Sequence, residues 1–195
     1  MNPLKSIPGT IISGFVLAIV IAAYDQSDVT NAMWSLTVWL HVFFGVIWIG
    51  LLYYFNFVQV PAVGQALTDG DPGPAAINKY VAPKALWWFR WGALLTWLTG
   101  AAALEASPLW SISSAFTLQG GSEIIGIGAW LGTIMLFNVW GLIWPNQKKI
   151  LGIKSATDDE IAKSKVIALM ASRTNTLLSI PMLMCMVGQM HGLPM

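Results

Sequence analysis

The sequence predicts an all-α polytopic membrane protein, a five-helix transmembrane bundle, and three observations carry that prediction. Its 195 residues contain five long apolar stretches, and 56% of them are hydrophobic against 10% charged, where a soluble domain carries roughly 25% charged residues. The cations also alternate from loop to loop. Numbered from the N-terminus, the first, third and fifth hydrophilic segments carry Lys5, then Lys79 and Lys84, then Lys148, Lys149, Lys154, Lys163 and Lys165. The second and fourth carry only acids, Asp25 and Asp28, then Glu105 and Glu123. Lys and Arg near span ends are retained on the cytoplasmic side, so the N-terminus is expected in the cytoplasm and the C-terminus in the periplasm of a bacterial inner membrane. The whole of 1–195 reads as one multi-pass transmembrane domain, with no room for a soluble module.

A helix needs about 20 apolar residues to cross about 30 Å of hydrocarbon. Span one is expected over 8–24; it is short, and no small-residue cleavage site follows Ala23, so it reads as a retained helix. Span two, 33–58, is long enough to tilt or to project. Span three covers 83–104, with Pro83 suited to a first turn, where a missing N–H costs nothing. Span four covers 123–144 and is expected to stop at Pro145. Span five covers 165–190, with Pro181 expected to kink it. Between spans, Thr68 to Pro74 is turn-rich, and Thr157-Asp-Asp-Glu160 reads as a capping box opening a helix that runs into span five. The uncharged segment 106–122 carries Trp110 and Phe116 and suits the membrane surface or the underside of a partner.

Composition excludes some function classes. A net charge of +1 gives nucleic acid nothing to hold. The single cysteine, Cys185, allows no disulfide framework. Gly128-x-x-x-Gly132 gives span four a small-residue face for another helix, in this chain or in a neighbouring subunit. Of the 11 tryptophans, Trp34, Trp87, Trp88, Trp110 and Trp144 fall near interfaces as an aromatic belt. Trp48, Trp97, Trp130 and Trp140 lie deeper, where they either flank a planar cofactor or pack.

Ionisable groups at membrane depth cost roughly 2.5–3.5 kcal/mol on insertion scales, so each is a candidate for function. Four stand out, and they are the only histidines and arginines present: His41, Arg90, Arg173 and His191. His41 lies roughly 12 Å from the outer end of span two at about 1.5 Å per residue. A neutral imidazole there suits a haem iron, and equally suits a histidine satisfied by a neighbouring carbonyl. His191 follows span five on the same side, as a second ligand or an exposed terminal residue. Arg90, within Trp87-Trp-Phe-Arg-Trp91, is placed to snorkel or to stack on its adjacent tryptophans. Arg173 and Asn175 belong to the polar run Ala171-Ser-Arg-Thr-Asn-Thr176, near mid-membrane. With Asn56 and Asn138 at matching depth, the run reads either as a cluster for a haem propionate or a quinone, or as a clamp between helices. No catalytic residue is assigned.

Three stretches together resemble a known family: Leu40-His-Val-Phe-Phe-Gly-Val-Ile-Trp-Ile-Gly50 with its continuation to Gln59, Ala85-Leu-Trp-Trp-Phe-Arg-Trp-Gly-Ala93, and Ser172-Arg-Thr-Asn-Thr-Leu-Leu-Ser-Ile-Pro-Met-Leu183. They are similar to the membrane domain of PuuD-type urate hydroxylases, the urate oxidase N-terminal domain family. The resemblance implies an inner-membrane protein associated with cytochrome c electron transfer, whose full-length members continue into a cytochrome c domain. No Cys-x-x-Cys-His occurs here, so a separate periplasmic cytochrome c is the expected partner. The His41 segment is also distantly similar to the histidine-bearing first helix of HemJ-type proteins, which bind haem b. The resulting expectation is a redox subunit in the lipid bilayer that binds haem b, with a quinone as a second possible ligand. His41 and His191 would ligate iron, and Arg90, Arg173, Asn175 and Trp48 would line the cofactor. Its alternative is an accessory subunit without chemistry of its own, packed against other subunits of a larger energy-transducing complex.

Overall fold

The structure is a computed structural model that describes residues 2–24 and 31–193. Asp25 and Asp28 lie outside the described residues. The chain divides into two compact units, Met1–Ala32 and Met33–Met195.

In the first unit, a single 3-10 turn, Pro3–Lys5, is capped by Asn2, whose side-chain oxygen accepts from the Leu4 N–H at 2.9 Å. The Ser6 hydroxyl then accepts from the Gly9 N–H at 3.2 Å and opens α1, Ile7–Tyr24. No residue of α1 is buried. By length and apolarity α1 is suited to cross a membrane.

The second unit is built from α2 (Ala32–Asp69), α3 (Ala82–Ala106), the short α4 (Ile112–Thr117), α5 (Glu123–Ile150) and α6 (Asp158–His191). Described residues form no strand, as expected where every backbone polar group must be satisfied within its own segment. α2, α3, α5 and α6 share one core. Trp48, Leu52 and Phe55 meet Leu86, Phe89 and Ala93, together with Met135, Val139 and Ile143 and, from α6, Ala171 and Met182.

Four helices, rather than five, are long and apolar enough to cross a membrane among the described residues: α1, α2, α5 and α6. α3 has the length, 25 residues, but Arg90, four tryptophans and two threonines dilute its apolarity. One further expectation is corrected. α5 does not stop at Pro145 but continues to Ile150. A π turn over Asn138–Ile143 comes just before, and Pro145 falls in the first α turn after it, where the hydrogen-bond ladder is already displaced and a missing donor is tolerated. α6 opens at Asp158, the helix that the Thr157–Glu160 box was expected to lead into span five, and it runs through Pro181 to His191.

The capping box stands as expected. The Thr157 hydroxyl accepts from the Glu160 N–H at 3.3 Å, and the Glu160 carboxylate accepts from the Thr157 N–H at 3.0 Å. Lys149 sits 3.5 Å from the same carboxylate. At the other loop, Gly70 ends α2 with φ +79°, a conformation that favours glycine, and its N–H donates to the Ala66 carbonyl. Segment 106–122 folds back onto α5. Its helix α4 is opened by Ser111 and Ser114 capping one another, and the Trp130 indole N–H donates to the Phe116 carbonyl at 3.1 Å.

Candidate functional site

A stripe of small residues on α3 decides where His41 lies. Gly92, Thr96 and Gly100 recur every four residues and so share one face. A Cβ on Gly92 would come 3.4 Å from the Trp48 backbone nitrogen. One on Gly45 would meet the Thr96 methyl at 3.8 Å, and one on Gly100 would press to 2.8 Å on the imidazole of His41. Glycine at these points lets α2 and α3 approach closely enough for the His41 Nδ1 to reach the Thr96 carbonyl at 2.8 Å. A carbonyl can only accept, so Nδ1 carries the proton, and in the neutral ring Nε2 keeps its lone pair. The ring is half-buried. The Thr99 hydroxyl lies 3.1 Å from the same carbonyl but gives its proton chiefly to the Leu95 carbonyl at 2.6 Å.

Trp48, one further step along the α2 face, is almost fully buried against Gly92. Its indole N–H has no hydrogen-bond partner among the described residues.

The polar run of α6 makes a second group of contacts. Asn175 is fully buried and both ends of its amide are used: the oxygen accepts from the Asn138 amide at 2.8 Å, and the nitrogen donates to the Met135 carbonyl at 2.9 Å. One turn away, the Asn56 amide donates to the Leu52 carbonyl at 2.9 Å and to the Ser172 hydroxyl at 2.8 Å. The Ser179 hydroxyl spends its proton on the Thr176 carbonyl at 2.7 Å, so the Tyr53 hydroxyl, 2.9 Å from it, is the donor. Ser172, Asn175 and Ser179 thus form a polar seam that ties α6 to α2 and α5.

Arg173, inside the same run, is exposed on the outer side of α6. Asn56 and Asn138 bond Ser172 and Asn175 rather than an arginine. Arg90 does stack on tryptophan, but on Trp144 of α5, 3.6 Å from the ring centroid, rather than on its sequence neighbours. His191 stands exposed at the end of α6. No hydrogen bond joins it, Arg90 or Arg173 to His41 among the described residues, and no group of three or more His, Cys, Asp or Glu side chains is placed to hold a metal ion. Reading the sequence missed Thr96 and Gly100. The signal was present as a small residue at every fourth position of α3, hidden by the bulky tryptophans between.

The third motif, which includes Arg173 and Asn175, and the terminal His191 lie in the part of the chain that a family comparison covers. Residues 105–194 match the urate oxidase N-terminal family. The match supports the resemblance drawn from the sequence and contains α4, α5 and α6 with Asn138 and Asn175. The His41 and Arg90 motifs lie ahead of the matched segment. Comparisons with curated proteins and with solved structures find no match.

Proposed function

We propose that this urate oxidase N-terminal-like chain is a membrane redox subunit that binds haem b through His41 and exchanges electrons with a periplasmic cytochrome c or a larger respiratory assembly. One observation carries the proposal: His41 Nδ1 is committed to the Thr96 carbonyl at 2.8 Å. A ligating imidazole ordinarily gives its other N–H to a carbonyl or carboxylate, which sets the tautomer and turns the ring. His41 and Thr96 fit a ligand and the acceptor that orients it. His41 would hold the iron through Nε2, the Thr96 carbonyl would orient the ring, and Gly100 clears the space beside it. Bound haem b supplies one-electron redox chemistry. No hydrogen bond joins His191, Arg90 or Arg173 to His41 among the described residues, so these three are left out of the proposed seat.

The same proposal includes a fifth span and an orientation. α3 shares its core with α2, α5 and α6, which supports a crossing beside them; Lys79, Lys84, Lys148 and Lys149 would then lie on the cytoplasmic side. A reduced-minus-oxidised visible spectrum of the gently solubilised protein tests the haem. The expected result is a b-type α-band that is lost in His41→Ala, and a stable wild type without a Soret band rejects the proposal.

The polar seam favours a second reading, the accessory subunit. Asn56–Ser172 and Asn138–Asn175 satisfy each other without any ligand and act as interhelical clamps. Under that reading the chain co-purifies stoichiometrically with other subunits, and His41→Ala leaves their activity unchanged.

A further inference from the structure

Arg90 and Lys148 converge on one indole. The Arg90 guanidinium lies 3.6 Å and the Lys148 ammonium 5.8 Å from the centroid of the Trp144 ring. The π turn over Asn138–Ile143 prepares this arrangement. It adds a residue to the turn and so rotates everything after it by about 100° relative to a regular helix, Trp144 first. Lys148 follows four residues later on the same face.

A ring face satisfies the flat side of a guanidinium but none of its edge N–H donors. Among the described residues, the Arg90 side chain makes no hydrogen bond or ion pair, and neither does the Lys148 ammonium. The neighbouring Lys149 differs, because Glu160 stands 3.5 Å from it. Two cations are therefore held beside one ring without a carboxylate, and Arg90 is half-buried. A half-buried guanidinium with idle donors is costly unless an acceptor arrives. The acceptor must be anionic, must offer several oxygens to both cations, and must reach the basic end of the bundle.

We propose that Arg90, Lys148 and Trp144 form a binding site for a phosphate group. Its fork of donors suits Arg90 to phosphate oxygens, while Lys148 adds a point charge. The source nearest to a site at the end of a membrane helix is the headgroup of an anionic phospholipid; a soluble phosphate has the same chemistry. The site is independent of the haem seat and needs neither His41 nor its ligand.

Native mass spectrometry of the full chain, gently solubilised and titrated with phosphatidylglycerol, tests the proposal. The wild type is expected to retain one phosphatidylglycerol. Arg90→Gln, and separately Lys148→Gln, should each weaken retention by about ten- to hundredfold, as loss of a charged hydrogen bond does. Lys148 is outside the buried core, so its variant reports even if Arg90→Gln folds poorly. Arg173→Gln, which removes an exposed arginine elsewhere, is expected to change nothing. Delipidated protein titrated with inorganic phosphate separates the sources. Binding of phosphatidylglycerol alone, lost in Arg90→Gln, assigns the site to lipid; binding of inorganic phosphate, lost in the same variant, assigns it to soluble phosphate. Equal retention by wild type, Arg90→Gln and Lys148→Gln, or an equal loss in Arg173→Gln, overturns the site.

Discussion

Replacing Asn175 with alanine tests whether the polar seam holds the bundle together. The amide makes two hydrogen bonds, to Asn138 and to the Met135 carbonyl. These two losses are unequal. The Met135 carbonyl keeps the backbone N–H of Asn138 as a partner, so losing the side-chain donor costs it little. The Asn138 amide loses its acceptor in a core where Asn138 is itself buried. A buried polar group left without a partner costs about 1–3 kcal/mol. Hydrogen bonds between membrane helices have measured at about 0.6 kcal/mol on average and about 1.7 at most, which pulls the figure toward the lower end. The small void left by the amide adds a few tenths, giving about 1.3–2 kcal/mol in total for Asn175→Ala. Removing both partners leaves no orphan, so Asn138→Ala with Asn175→Ala should fall short of the sum of the single variants by about 1 kcal/mol. Equilibrium unfolding in mixed micelles with increasing SDS, followed by tryptophan fluorescence, measures all four corners of the cycle. If Asn175→Ala stays within 0.5 kcal/mol of wild type (roughly the resolution of such comparisons), or if the double variant is strictly additive, the seam is not a clamp.

Other substitutions follow from the same geometry. Gly100→Ala sets a methyl 2.8 Å from the His41 ring; overpacking should cost about 1–3 kcal/mol and shift or abolish any haem α-band, read by difference spectroscopy beside the unfolding midpoint. The two glycines of span four should part company. At Gly128 an added Cβ meets Cys185 Cβ at 3.1 Å and Met186 Cε at 3.0 Å, and alanine should destabilise. At Gly132 it meets nothing within 4 Å, and alanine should stabilise by about 0.5–1 kcal/mol through helix propensity; SDS titration of the pair decides it. Thr157→Ala removes the cap of α6 and should cost about 1 kcal/mol, visible as faster hydrogen exchange over residues 158–163 while the core stays protected.

The features legible in the sequence were those written in local chemistry. Thr157 and Glu160 are three residues apart with apolar sequence following, and the box forms. The long apolar runs became helices, but Pro83, expected at a helix start, falls in the first α turn after a π turn over Ile77–Val81, inside a helical run that begins at residue 75. Rotational phase was not legible. α6 is apolar on nearly every side, so nothing local tells which flank of Ala171 to Thr176 faces inward, and Arg173 and Asn175 differ by about 200° around the axis. One came out exposed and the other fully buried. The path of α5 past Pro145 was hidden for a related reason, since a π turn has no clear residue signature and it alone makes the proline harmless. His41 was found by its oddity in an apolar span. Its partner is a backbone carbonyl, which carries no letter in the sequence.

α2 holds 38 residues in one helix, about 57 Å at 1.5 Å per residue, whereas the hydrocarbon layer is about 30 Å thick. Crossing upright, it would leave nearly half its length among headgroups or in water, with its backbone hydrogen bonds closed down to the glycine at position 70. A protease working on that face finds no extended chain along the protruding shaft and meets its first yielding peptide bonds in the Gly70 to Pro74 turn. A single clip there would leave two fragments still gripped by the common core of α2, α3, α5 and α6. The chain can thus be severed without being taken apart, and a tag or a partner domain inserted at the same turn would ride on a rigid stalk held clear of the membrane.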